Sequence, residues 1–137
     1  MGVLQRIPTC SVPWLLLLIV SGCREPNRAA VGGKVTLDGQ PVEEGTISFI
    51  PPSGHPGPTA WGPIKEGTYA ISAHQGPAPT ANRVEIHWTR RTGRKSPYFP
   101  EMDEYREAIP DRYHRDSQLQ VEVKPGENRL DFELKSQ

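Results

Sequence analysis

The sequence predicts an all-β protein, an antiparallel β-sandwich of about seven strands with one long loop between the fifth and sixth. Three observations carry that expectation. Apolar side chains recur at every second position over most of the chain, the period of a strand with one buried face. Glycine- and proline-containing turn signals separate these runs. No segment keeps a helical period beyond a candidate turn over residues 101–108.

The strands follow in order. Val35 and Leu37 alternate with Lys34 and Thr36, and Asp38-Gly39 supplies a short hairpin signal. Gly45 opens a second strand, with Ile47 and Phe49 on one face and Thr46 and Ser48 on the other, until Pro51-Pro52 stops it. A Pro/Gly/Ser loop leads to residues 59–64, a glycine-broken run expected at a sheet edge. Glu66-Gly67 then turns the chain into a strand where Tyr69, Ile71 and Ala73 share a face. Val84, Ile86 and Trp88 alternate with Glu85, His87 and Thr89. Leu119, Val121 and Val123 form the next run, Pro125-Gly126 turns it, and Leu130, Phe132 and Leu134 close the set. One apolar and one polar face per strand is the pattern of sheets wet on the outside.

Residues 91–116 depart from this pattern. Connections beyond about 12–15 residues are uncommon in compact domains unless they have a function. This one begins basic, at Arg90, Arg91, Arg94 and Lys95, and turns acidic, at Glu101, Asp103, Glu104 and Glu107. It also holds Tyr98, Phe99, Tyr105, Ile109 and Tyr113, too much aromatic surface for a free linker, so it is expected to pack back over one edge or end of a sheet. Candidate binding residues are therefore Arg90, Arg91, Arg94, Lys95, Tyr98, Tyr105 and Tyr113, joined by Trp61. Exposed aromatics beside loops suit a sugar or protein partner. The competing expectations are that Trp61 packs against the long loop and that the basic half merely neutralises the acidic half.

The first residues follow a different logic. A short segment with one basic side chain, Arg6, precedes an apolar run over residues 12–20, and Ser21, Gly22 and Cys23 follow. That order describes a secretory signal peptide over residues 1–22. A membrane span would need about 20 apolar residues; Pro8 and Pro13 interrupt the run upstream and Arg24 ends it. Val20-Ser21-Gly22-Cys23 resembles the lipobox of bacterial lipoproteins. The resemblance implies cleavage between Gly22 and Cys23 and a lipid thioether on Cys23, with residues 23–30 as a short tether and the membrane as a partner through that lipid. Cys10 lacks an apolar run before it and leaves with the signal, so the lipid also accounts for a single remaining cysteine. Arg24 is not the aspartate that retains such proteins in some inner membranes, which favours an outer location.

Removing 22 of the 137 residues leaves 115, room for one domain. With 16 basic and 16 acidic side chains and only Arg6 removed, the remainder is near neutral, which argues against nucleic acid as a partner.

The order of motifs then suggests a family. The run from Gly33 through Asp38-Gly39-Gln40-Pro41-Val42, followed by Gly45-Thr46-Ile47-Ser48-Phe49, resembles the opening strands of carboxypeptidase regulatory-like domains, the transthyretin-like sandwich. Gly67-Thr68-Tyr69-Ala70-Ile71 is similar to the family's recurrent strand, and Ala108-Ile109-Pro110-Asp111-Arg112-Tyr113 with the last two strands is similar to the endings of small lipoproteins with this one domain. The similarity spans residues 31–137 and departs at residues 78–83, where the family has a glycine turn. It implies a non-enzymatic binding or scaffolding domain of the cell envelope, without a cofactor, whose partner is an envelope protein or polysaccharide.

Catalytic alternatives lack complete sets of residues. Hydrolases on related sandwiches end in Tyr-Arg-Gly-Ser, whereas this chain ends Glu133-Leu134-Lys135-Ser136-Gln137. Tyr105, Tyr113 and His114 are similar to part of the iron set of intradiol dioxygenases, but no second histidine stands nearby. A metal-dependent activity over residues 98–114 is thus the alternative function, and a structural assembly subunit is a third. His55, His74, His87 and His114 show no zinc spacing and are expected at the surface. Glu101, Asp103 and Glu104 lack the glycine of a calcium loop, and no Gly-x-Ser-x-Gly elbow occurs.

Overall fold

A computed structural model describes residues 27–137. The expected signal peptide, the Gly22–Cys23 cleavage position and Cys23 itself lie outside the described residues. The remainder is almost entirely β. Its strands are β1 (Ala30–Leu37), β2 (Gln40–Pro41), β3 (Glu44–Ile50), β4 (Ala60–Lys65), β5 (Thr68–Ile71) and β6 (Ala81–His87). After them come β7 (Thr89–Lys95), β8 (Asp103–Glu107), β9 (Gln120–Glu122), β10 (Glu127–Arg129) and β11 (Phe132–Leu134), with one 3-10 turn at Asp111–Tyr113.

The main sheet runs β10-β1-β5-β4-β3-β6-β9 and curls around its core in a sandwich-like half-barrel. The two predicted short turns form as expected. Asp38 and Gly39 have φ of 50° and 81°, and Glu66 and Gly67 have φ of 52° and 77°, the positive pairs that match the twist of two-residue hairpins. Inward positions are those the alternation marks: Val35, Ile47, Phe49, Ile64, Ile71, Val84 and Ile86 are buried. Phe49, Tyr69 and Phe132 form a chain of tilted rings 6.1 and 6.3 Å apart. Tyr69 donates its hydroxyl to the Leu130 carbonyl at 2.6 Å, giving the one polar tip of that chain a partner.

Three features differ from the sequence expectation. The run over residues 59–64 is no edge: β4 lies between β3 and β5. Its glycine is there for space, since a Cβ on Gly62 would stand 2.8 Å from Ile71 Cγ1. Secondly, the pairing is not all antiparallel. β1 pairs in parallel with β10 through Ala30–Glu127 and with β11 through Val35–Phe132, so the first strand is bordered by the last two. Thirdly, residues 91–116 meet one end of the sheet but are not a loop throughout. Most of that segment is a separate two-stranded ribbon, β7–β8, and all seven residues of β7 are exposed. Where a helical turn was expected at residues 101–108 stands β8; the helical turn comes later, at Asp111–Tyr113. Only residues beyond the ribbon return to the core, where Ile109, His114 and Ser117 are buried.

Register also fixes the ends of the sheet. Val31 pairs with Ile71, Phe49 with Ala60, and Ile50 with Arg83, so the start of β1 lies at the same end as residues 50, 60 and 83. Leu37, Glu44, Lys65 and His87 lie at the other end. The ribbon leaves from this second end.

Candidate functional site

The ribbon gathers most of the residues singled out by the sequence. Thr89 pairs with Glu107, Arg90 with Arg106, Arg91 with Tyr105 and Lys95 with Asp103, with a bulge between Arg91 and Lys95 where Gly93 has φ of 81°. The basic and acidic halves neutralise each other in part: Arg91 and Lys95 both reach Asp103, at 2.7 and 3.0 Å, and Arg106 reaches Glu104 at 3.0 Å. The hydrogen bond from Lys95 holds the Asp103 carboxyl below its ordinary range. Pairs this exposed are screened by water and contribute little to stability. Arg90 instead lies over the Trp88 ring, 4.8 Å from its centroid.

The tip is a folded turn. Ser96 donates its main-chain N–H to Met102 O, Met102 donates to Phe99 O, and Ser96 Oγ accepts from the N–H groups of Tyr98 and Phe99. That turn displays Tyr98 at 85% exposure, together with Phe99 and Met102, and Tyr105 is exposed on β8. These four are among the large exposed apolar side chains of the described residues, three on the tip turn and Tyr105 nearer the root, and exposed apolar side chains gathered on one element suit an interaction site.

A two-stranded ribbon is marginal on its own, so its root matters. Glu107 closes it. Its Oε1 accepts the Trp88 N–H at 2.7 Å and the Ile109 N–H at 3.1 Å, and its Oε2 lies 3.0 Å from His87 Nδ1. Partial burial raises the Glu107 pKa, but these donors outweigh it and hold the carboxyl below its usual value. His114, buried, has its ring centroid 5.0 Å from that of His87, the two rings tilted at 43°, and points Nε2 at Ile109 O, 2.9 Å away, with Asp111 Oδ1 at 3.2 Å. The fold thus brings together two histidines far apart in sequence. His87 is half-exposed and carboxylate-bound, and His114 is not at the surface as expected. An open groove of about 590 Å³ lies beside this root, lined by Glu44, Thr46, Pro63, Lys65, His87 and Tyr105 among others.

No family model matches the chain, and no curated protein or solved structure is significantly similar to it.

Two predicted site residues lie elsewhere. Tyr113 is partly buried near the C-terminus: its hydroxyl accepts the Lys135 N–H at 3.2 Å, and the Arg112 guanidinium beside its ring draws its pKa down. Trp61 is 66% exposed, opposite Ser48 on the outer face of β4, so it does not pack against the ribbon. Of the iron set considered from sequence, the Tyr113 hydroxyl meets Lys135 N and His114 Nε2 meets Ile109 O, while Tyr105 is exposed on β8. Among the described residues no group of three or more His, Cys, Asp or Glu is placed to hold a metal ion. Glu107 and Met102 were not singled out as site residues. A cross-strand reading of residues 87–107 would have pointed to Glu107, but only once the ribbon was recognised.

Proposed function

We propose that this chain is an exported lipoprotein, anchored to the cell envelope through Cys23, whose carboxypeptidase regulatory-like domain is a non-catalytic binding or scaffolding module. The β7–β8 ribbon is the element that meets its partner, an envelope protein or polysaccharide. The observation that carries this reading is the apolar display of Tyr98, Phe99, Met102 and Tyr105 on a ribbon whose seven-residue first strand buries nothing. Exposing such side chains costs solubility and adds nothing to the core, which is sensible where a partner covers them. Arg90, Arg91, Arg94 and Lys95 are exposed on β7 of the same ribbon and add donors for hydroxyl, carboxylate or carbonyl groups.

The N-terminal part of the reading rests on the residues before the domain: an apolar run too short to span a bilayer, then Val20-Ser21-Gly22-Cys23. Two or more acyl chains give stable anchoring where one does not.

The test is capture from envelope membranes with the intact chain as bait, beside a chain carrying Tyr98→Ser, Phe99→Ser and Met102→Ser. One envelope protein or polymer should be enriched by the first and lost with the second. Equal recovery by both would refute the ribbon as contact element. Intact mass reports separately on acylation at Cys23, and a free thiol there would refute the anchor.

A further inference from the structure

The end of the sheet opposite the ribbon root carries a second exposed aromatic, Trp61, with the tether beside it. Arg28 and Trp61 line one surface hollow of about 280 Å³, together with Thr59, Ala60, Pro63 and Gln75. The tether is fastened there: Ala29 donates its N–H to Pro77 O at 2.9 Å, and Arg28 donates a guanidinium N–H to His74 O at 3.0 Å. Five residue steps separate Arg28 from Cys23, which span no more than about 18 Å when fully extended. The ribbon root, at His87 and Trp88, belongs to the far end of the strands.

We infer that Trp61 is a membrane-contact residue: the Arg28–Trp61 end of the domain rests on the headgroup layer, and the ribbon is presented away from the bilayer. This rests on the proposed anchor at Cys23. With that anchor, the short tether holds the start of β1 near the lipid surface, and the aromatic exposed beside it is tryptophan, which favours the interfacial region because its ring is apolar while its indole N–H remains hydrated. Arg28 on the same rim supplies a cation for anionic headgroups. A second copy of the chain is a poorer occupant, since a dimer through this hollow would bring two Arg28 guanidinium groups toward each other. The two exposed aromatic features thereby separate in role, Trp61 toward lipid and Tyr98, Phe99 and Met102 toward the partner.

The experiment uses the full chain expressed in cells and purified from membranes, with its mass measured first. Acylated, processed protein has lost Trp14 and keeps Trp61 and Trp88 as its two emitters. It is reconstituted into vesicles of phosphatidylcholine and phosphatidylglycerol containing lipids brominated near the headgroup. The expected result is loss of tryptophan emission in the intact chain and no comparable loss in Trp61→Phe, whose remaining Trp88 is buried at the other end. Because Trp61 is exposed, that substitution leaves the core intact. Acylated protein quenched equally with and without Trp61, or not quenched at all, overturns this orientation while leaving the anchor standing. Trp61 emission that depends on protein density and not on bromine overturns it in favour of self-association. A mass without acyl chains overturns the anchor, and the orientation with it.

Discussion

Glu107 offers the sharpest test of how the ribbon is held. In Glu107→Ala the N–H groups of Trp88 and Ile109 lose their shared acceptor, at 2.7 and 3.1 Å, and His87 Nδ1 loses its carboxylate at 3.0 Å. The His87 side chain is 44% exposed and can turn to water, so its loss counts little. The two main-chain donors are partly buried, and an unsatisfied buried donor costs about 1–3 kcal/mol. Taking the lower half of that range for each gives about 2–4 kcal/mol, a large share of the roughly 5–15 kcal/mol typical of a domain. In Glu107→Gln the amide oxygen can keep both main-chain bonds, so the expected cost is about 1 kcal/mol, from lost charge alone. Urea unfolding of the Cys23→Ser form gives the two energies. Amide exchange should rise first in residues 89–107, because the ribbon has few other attachments. If Glu107→Ala unfolds within about 0.5 kcal/mol of the intact chain, or if glutamine costs as much as alanine, the pinning role of the carboxylate is wrong.

Other outcomes follow from single contacts. Glu107 is held below its ordinary pKa, so its contribution is complete above the unfolded value of about 4.3 and disappears as pH falls through the lower native value; acid titration of stability should therefore flatten in Glu107→Gln. Gly33→Ala would drive a Cβ into the Leu130 carbonyl where β1 meets the C-terminal strands, and a loss of roughly 2–4 kcal/mol should appear as a lowered thermal midpoint. Asn82, fully buried, donates to Ala78 O and Thr80 O at 2.9 and 2.8 Å; Asn82→Asp places a carboxylate against those two carbonyls. It should be less stable than Asn82→Ala at neutral pH and recover toward it as acid protonates the carboxyl, which pH-dependent melts can follow. The triple substitution Tyr98→Ser, Phe99→Ser and Met102→Ser should leave urea stability within about 0.5 kcal/mol, since the three side chains face water.

The parts of the fold legible in the sequence are those where burial leaves a period. Ile47 and Phe49, Tyr69 and Ile71, Val84 and Ile86 alternate because one face of each strand meets the core, and Asp38-Gly39 and Glu66-Gly67 mark their turns through backbone angles that few other dipeptides tolerate. The ribbon left no such trace. Thr89–Lys95 has water on both faces, so its residues need not alternate, and a strand without a buried face resembles a loop. The central place of β4 was hidden for another reason: Gly62 and Pro63 read as strand breakers, whereas one yields space to Ile71 and the other faces outward. The site was legible as composition, a basic stretch, then aromatics, then an acidic stretch, but not as geometry. Nothing in the spacing of His87, Glu107 and His114 told that a hairpin would bring them to one point.

The parallel border of β1 has a consequence for how the molecule comes into being. Gly32 and Lys34 form bonds with residues 130 and 131, and Asn128 reaches back to Ala30, contacts separated by nearly the whole domain. The border of β1 is completed only when residues 127–134 find residues 30–37, pairings of long sequence separation that make assembly slow. While the ribosome still holds residues 127–134, β1 has one bare edge and Val31 and Val35 lack part of their cover. Such a chain stays pliable until residues 127–134 are available and locks only when they dock against β1.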